Sequence, residues 1–319
     1  MGEHYWGIDL GGTKIEAAVA THSMKPVIRR RIATEASGGY DHILERIKTL
    51  LDMIASETGL SVPEHIGVGT PGRYDAVQGV MKNSNTVCLN GRNLKADLER
   101  LLQRVIVLEN DANCFALAES MLGAGASLMR DHSRLAFGII LGTGVGGGIV
   151  YGGHARRGAH GIAGEWGHNE LVPGGERCYC GKRGCVETVI SGPALERYYQ
   201  HLSGRFKPLE QIALDCGSDG AAAETIERLL LYFGKALATV INIIDPDCCI
   251  LGGGVGCVEQ LYSPQAVQAI ECHLFNNELR TPLLRPLLGD SAGVFGAALL
   301  VLKPERFVIT HKLIQPTVT

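Results

Sequence analysis

The chain has 319 residues, 45% of them hydrophobic and 20% charged, a length for two ordinary domains and a composition that excludes a disordered or fibrous chain. The formal net charge is -3, and the dense basic run Arg29-Arg30-Arg31 reads as a solvated strand edge, so no nucleic-acid partner is expected. No apolar window of about 18 residues or more occurs, which excludes a membrane-spanning helix, and Met1-Gly2-Glu3-His4-Tyr5-Trp6 leads into a strand without a cleavable signal, so a cytoplasmic protein is expected.

Tyr5 to Leu10 predicts a short strand ending in Gly11-Gly12-Thr13-Lys14, with the apolar run Ile15 to Ala20 as its hairpin partner. Over 41–58, Ile43, Leu44, Ile47, Leu50, Leu51 and Ile54 recur at helical spacing, and the pattern stops at Gly59. A strand is expected over 65–70, before Pro71-Gly72. Another, Arg104 to Glu109, runs into Asn110-Asp111-Ala112-Asn113, followed by a helix over 114–122. Leu135 to Leu141 predicts a strand leading into Gly142-Thr143-Gly144-Val145-Gly146-Gly147-Gly148 and then a strand from Ile149 to Tyr151, so the strand, glycine turn, strand device recurs. A long helix over 220–242 precedes a strand from Cys248 to Leu251, the turn Gly252-Gly253-Gly254 and a final helix from Ala292 to Leu302. The succession is α/β in two related halves, with a boundary near residue 120. The segment beyond 303 has no strong period and is assigned no function.

The turns Gly11-Gly12-Thr13 and Gly142-Thr143-Gly144 each present backbone N–H groups unblocked by side chains, with a hydroxyl that can donate to phosphate. Hairpins use glycine for positive φ anyway, so either turn alone is weak. Neither matches Gly-x-x-x-x-Gly-Lys-Ser/Thr, and Gly142-x-Gly144-x-x-Gly147 lies between strands, which disfavours P-loop and Rossmann readings. Asp9 interrupts an apolar strand just before the first turn. It needs Mg2+ or a water shell, unless it caps the turn's own N–H groups. Asp111 is either the N-cap of the following helix or, beside polar Asn110, a general base for a ligand hydroxyl.

From Gly164 to Glu187 the pattern changes. His168 precedes Cys178, Cys180 and Cys185, three thiols within eight residues and interleaved with glycine and charge, a plausible tetrahedral Cys3His set for zinc. A disulfide or redox pair is the rival reading. Glu165 and Glu187 bracket the set, so a bound metal would hold two carboxylates in fixed relation. Cys88, Cys114, Cys216, Cys248, Cys249, Cys257 and Cys272 lie in apolar segments and read as small buried hydrophobes.

Five stretches, in order, resemble the motifs of the ROK sugar kinases: Gly7-Ile-Asp-Leu-Gly-Gly-Thr-Lys14, Glu109-Asn-Asp-Ala-Asn113, Leu141-Gly-Thr-Gly-Val-Gly-Gly-Gly148, Glu165-Trp-Gly-His168 and Cys178-x-Cys-Gly-x-x-Gly-Cys-x-Glu187. The resemblance spans about residues 5 to 302. It implies the actin-like ATPase (ribonuclease H-like) fold, with two α/β domains closing over a cleft, ATP with Mg2+ as donor, a hexose as acceptor and a homodimer. Residues 1–120 would form the small domain, joined by the C-terminal helix at about 291–303, with 121–290 the large domain and 304–319 a tail. By position, Asp9, Gly11, Gly12, Thr13 and Lys14 would form the first phosphate loop and Gly142, Thr143 and Gly144 the second, with Gly252, Gly253 and Gly254 near the adenosine. Asn85, Asn110, Asp111, Glu165, His168 and Glu187 would contact the sugar, Asp111 taking the proton of the attacking hydroxyl. His168, Cys178, Cys180 and Cys185 would ligate structural zinc.

Within the family, Lys82-Asn-Ser-Asn85 with Leu89-Asn-Gly91, Gly164-Glu-Trp-Gly-His-Asn169 and Cys178-Tyr-Cys with Glu187-Thr-x-Ile-Ser-Gly192 look most similar to bacterial fructokinases of the manno(fructo)kinase type. N-acetylglucosamine kinases, mannokinases and glucokinases share most of these features. A non-catalytic sugar sensor is the alternative from another class. A zinc hydrolase is disfavoured, because three Cys and one His leave no open coordination position.

Overall fold

In the first unit, the apolar run before Gly11 forms β1 (His4–Leu10), which pairs antiparallel with β2 (Lys14–Thr21), itself antiparallel to β3 (Pro26–Ala33). There follow α1 (Tyr40–Thr58), β4 (His65–Thr70), β5 (Arg73–Asp75), β6 (Val80–Lys82), α2 (Leu94–Leu102) and β7 (Val105–Asn110). The main sheet has the order β3-β2-β1-β4-β7, with β4 parallel to β1, while β5 and β6 form a separate hairpin. The structure, a computed structural model, describes residues 3–302, so the expected tail at 304–319 lies outside the described residues.

Trp6, Ile8, Leu10, Ile15 and Val19 form one core with Ile43, Ile47, Leu50, Leu51 and Ile54, the stripe that the spacing in α1 predicts. Each such aliphatic side chain contributes about 1.5–3 kcal/mol by leaving water. Gly59 ends α1 in the left-handed region, φ 69°, its N–H bonded to the Ala55 carbonyl, where a β-carbon would strain the backbone. Arg29, Arg30 and Arg31 lie on the edge strand β3, as expected, but Arg29 and Arg31 also pair with the buried Glu16 of β2.

The second unit contains α3 (Asp111–Met121), β8 (Leu135–Leu141), β9 (Val145–Tyr151), β10 (His154–Ala155), α4 (Val186–Ile190), α5 (Gly192–Ser203), α6 (Leu209–Asp215), α7 (Gly220–Ile244), β11 (Cys248–Gly252), α8 (Gly253–Gly256), α9 (Pro264–Glu271), β12 (Leu283–Leu284) and most of α10 (Ala292–Leu299). Its sheet runs β10-β9-β8-β11-β12, with β8 and β9 antiparallel and β8, β11 and β12 parallel.

The chain divides between Glu109 and Asn110, not near residue 120, and 297–302 group with the first unit. The displacement has a packing cause. α3 lies on the second sheet at backbone distance: a β-carbon at Gly138 would stand 2.4 Å from Ala116 Cβ, and one at Gly148 2.8 Å from the Ala112 carbonyl. α3 is buried from Ala112 to Met121, so it shows no amphipathic stripe, and it starts at Asp111 instead of residue 114. Its Glu119, fully buried, accepts from the N–H groups of Ala124, Leu287 and Leu288 at 2.8–3.0 Å.

Two glycine runs also differ from expectation. Gly146, Gly147 and Gly148 belong to β9, paired with Ile140, Ile139 and Gly138, so the second turn is 142–144 alone. Gly253 and Gly254 open the single helical turn α8 rather than a plain turn. Of the seven cysteines read as buried, Cys114, Cys248 and Cys249 are; Cys257 and Cys272 are exposed because each ends a helix at the surface, and Cys88 and Cys216 are half-buried.

Candidate functional site

In the first unit, Gly11 donates to the Lys14 carbonyl at 2.9 Å and Thr34 Oγ1 donates to the Gly11 carbonyl at 2.7 Å, so the first glycine turn is braced from below. With the Gly11 N–H engaged inside the turn, approach of a ligand falls to Gly12 and Thr13, both exposed. Asp9 stands opposite Glu16 in the β1–β2 register. Burial, and then the Glu16 charge, push its carboxyl up to about 6. Among the described residues it takes no hydrogen bond from the turn, which removes the capping reading. A carboxyl with that environment suits a cation.

Gly12, Thr13, Asn85 and Thr86 line a cavity of about 700 Å³ in this unit. Thr86 was not foreseen. Its Oγ1 is buried without a hydrogen-bond partner, and a β-carbon at Gly12 would lie 3.2 Å from it. A threonine directly after Asn85 in a polar loop was the available signal.

In the second unit, Asn110 is the N-cap of α3, its Oδ1 accepting from Asn113 N at 2.7 Å. Asp111 is the first helical residue, exposed, with Oδ1 accepting from Ala112 N at 2.8 Å. The cap role is therefore met by Asn110, and the Asp111 carboxylate stands at the helix N-terminus.

The second turn is closed by Gly142 N donating to the Gly144 carbonyl, 2.9 Å, and anchored by Gly192 N on the Gly142 carbonyl, 2.8 Å. Glu187 Oε2 accepts from Val145 N at 2.9 Å, and a β-carbon at Gly144 would come within 2.7 Å of the same oxygen. Glu187, expected at the sugar, thus also braces this turn. Gly142, Thr143, Gly254 and Val255 line a cavity of about 960 Å³ together with Pro193, Leu209 and Leu214, and with Glu196, Glu210 and Gln260 at its polar parts. That size and mixed lining suit a cofactor-sized ligand. Gly252 and Gly253 serve packing, since β-carbons there would meet Phe115 at 2.4 Å and the Leu141 carbonyl at 2.2 Å.

The segment 164–187 packs onto β9. Trp166 Nε1 donates to the Gly146 carbonyl at 3.0 Å, and its ring stands edge-on to Phe137. His168 follows on the same short turn. Its ring nitrogen and the thiols of Cys178, Cys180 and Cys185 all lie within 4.8 Å of one another. Cys178 Sγ is 3.6 Å from His168 Nδ1, and Cys180 Sγ is 3.6 Å from Cys185 Sγ. A tetrahedral ion with sulfur at about 2.3 Å and nitrogen at about 2.05 Å spaces S from S by roughly 3.8 Å and S from N by roughly 3.6 Å. The cysteines are free, and the S–S separation is far beyond the roughly 2.05 Å of a disulfide. Burial and the two neighbouring thiols push the Cys185 thiol up to about 12, a cost that a bound cation would reverse. The donor set fits a metal.

His168 Nε2 faces away from the thiols and lies 3.2 Å from Tyr179 Oη, the two rings edge-on with centroids 5.3 Å apart. Glu165, half-buried, and Glu187 both act on the Tyr179 phenol, whose pKa burial raises first. Tyr179 was not among the expected site residues.

The ROK family model matches residues 5–304. An N-acetyl-D-glucosamine kinase of Photobacterium profundum is 34% identical over 310 residues, covering 94% of this chain and 99% of that protein. Among solved structures, the ROK hexokinase from Thermus thermophilus is 32% identical with a TM-score of 0.82, covering 93% of this chain and 97% of that one. A ROK family glucokinase from Streptomyces griseus, in complex with glucose and AMPPNP, is 28% identical with a TM-score of 0.75, covering 93% and 98%.

Proposed function

Because the chain belongs to the ROK family and carries its actin-like ATPase fold, we propose that it is a sugar kinase, moving the γ-phosphoryl group of Mg-ATP to the 6-hydroxyl of a hexose. The observation that carries the reading is the exposed carboxylate of Asp111, the first residue of α3, whose N-cap is Asn110. Phosphoryl transfer depends chiefly on positioning and charge stabilisation, so the protein's work is to hold the groups in line. Asp111 accepts the proton of the sugar hydroxyl. Gly142, Thr143 and Gly254 line the cavity of the second unit that suits the nucleotide, and in the first unit the exposed turn of Gly12 and Thr13 suits phosphate. Asp9 would hold Mg2+, which neutralises developing phosphate charge. Zinc on His168, Cys178, Cys180 and Cys185 would be structural, fixing the segment that bears Glu165 and Glu187. Asn85, Glu165, His168 and Glu187 are the proposed sugar contacts, and a homodimer is the proposed assembly.

N-acetylglucosamine is the favoured acceptor, because a kinase for that sugar matches across nearly the whole chain. Fructose, favoured by the motifs at 82–91, 164–169 and 178–192, is the weaker reading. Asn90 Oδ1 accepts from Ser84 N and Asn90 Nδ2 donates to the Ser84 carbonyl, both at 2.9 Å, so Asn90, one residue behind that resemblance, braces its own loop. ADP release from Mg-ATP should be measured with N-acetylglucosamine, fructose, glucose and mannose, with Asp111→Asn as control. Sugar-dependent release abolished in the control supports the reading; no release with any hexose sinks it and leaves a sugar-sensing protein.

A further inference from the structure

We propose that Tyr179 is an affinity-setting residue of the sugar wall, its phenol competing with a substrate hydroxyl for His168 Nε2. The inference rests on the sugar-kinase reading. Tyr179 lies between Cys178 and Cys180, so its backbone is set by the knuckle, where Cys178 N bonds the Lys182 carbonyl at 2.9 Å and Gly181 N the Cys178 carbonyl at 3.1 Å. Its side chain is 73% exposed, yet its hydroxyl reaches back 3.2 Å to His168 Nε2. The tyrosine hydroxyl therefore occupies the free ring nitrogen of one of the side chains proposed to read the sugar.

The competition follows from the chemistry of imidazole. His168 Nδ1 faces Cys178 Sγ at 3.6 Å, and with that nitrogen given to the thiol set only Nε2 is left for a hydroxyl. With a metal on Nδ1 the proton resides on Nε2, which then has one hydrogen to donate. It serves either the phenol oxygen or a sugar oxygen. An exposed ring held through one such bond swings away at modest cost, so Tyr179 weakens by a common factor the binding of each hexose whose hydroxyl takes that hydrogen. Backbone hydrogen bonds hold the knuckle on either side of the position, and a smaller residue there would leave His168 Nε2 open.

The test uses zinc-replete full-length protein and the Tyr179→Phe and Tyr179→Ala variants, with metal content measured for each. N-acetylglucosamine and fructose affinities are read by calorimetry and as KM in the ADP-release assay. The expected result is a roughly threefold to tenfold tighter Kd and lower KM for hexose in Tyr179→Phe, carried by KM rather than kcat, with one metal retained per chain. Unchanged affinity, or weaker affinity showing that the phenol supports the sugar instead of competing with it, overturns the proposal while parental turnover leaves the kinase reading standing. If the parental protein binds hexose without turnover, calorimetry still decides the competition and only the kinase reading falls. No hexose binding by the parental protein overturns both.

Discussion

Asn110 Oδ1 takes the N–H of Asn113 at 2.7 Å and thereby caps the helix on which Asp111 is the first residue. Two adjacent polar residues divide two tasks, one closing the helix and one presenting a carboxylate. Asp111→Asn should lower turnover by roughly 10²-fold or more while circular dichroism and melting stay near parental values. Near-normal turnover would remove Asp111 from the base role.

Asn110→Ala should behave differently, through stability. Losing the cap costs about 1 kcal/mol, so thermal or urea unfolding should shift accordingly. A cap contribution below measurement would mean that the packing of α3 alone fixes its start.

Glu187 ties the second glycine turn to the metal-knuckle segment through Val145 N. Glu187→Ala leaves that half-buried N–H without its acceptor, at about 1–3 kcal/mol, and should raise KM for both ATP and hexose. Glu187→Gln, which keeps an acceptor oxygen, should restore the ATP constant more than the hexose constant. Equal effects of both variants on both constants would contradict the bracing role.

Asp9 carries a pH signature. Its folded-state carboxyl titrates at about 6 against an ordinary value of 3.8, so the native state binds the extra proton and this group's contribution to stability falls as pH rises from about 4 through about 6. Asp9→Asn should therefore raise stability at pH 7.5, by about 1 to 2 kcal/mol after allowance for partial exposure, and do little at pH 4. Mg2+ should reverse the penalty in the parental protein, with its activation constant rising below about pH 6. A variant whose melting temperature equals the parental protein's at both pH values would refute this.

Cys180→Ser should lose bound zinc and loosen the segment that carries Glu165, His168 and Glu187, since metal binding and local folding are coupled. Elemental analysis gives the decisive number: metal content equal to the parental protein would reject the ligand set.

Much of this was legible in sequence where one physical pattern dominated. The stripe of α1 needed only helical spacing, and the thiol cluster only its density among glycines, and both stand where expected. The start of α3 was placed three residues late because a helix buried from Ala112 to Met121 has no polar face to mark its phase, and its neighbours come from strands that follow it in the chain. Thr86 and Tyr179 escaped because an unpaired hydroxyl and a phenol folded back onto a histidine are tertiary facts; each residue alone looks like ordinary loop.

The glycines beneath α3 have a thermal consequence. Gly138 and Gly148 let that helix meet the sheet without an intervening layer of long side chains, and Gly296 brings α10 to the Cys114 carbonyl, which a β-carbon there would approach to 1.9 Å. Contacts of backbone on backbone have no rotamers to populate on warming. The bearing of the helix that carries Asp111 should thus stay fixed up to the melting transition, so that activity on heating is lost in one step with the fold, with no earlier softening.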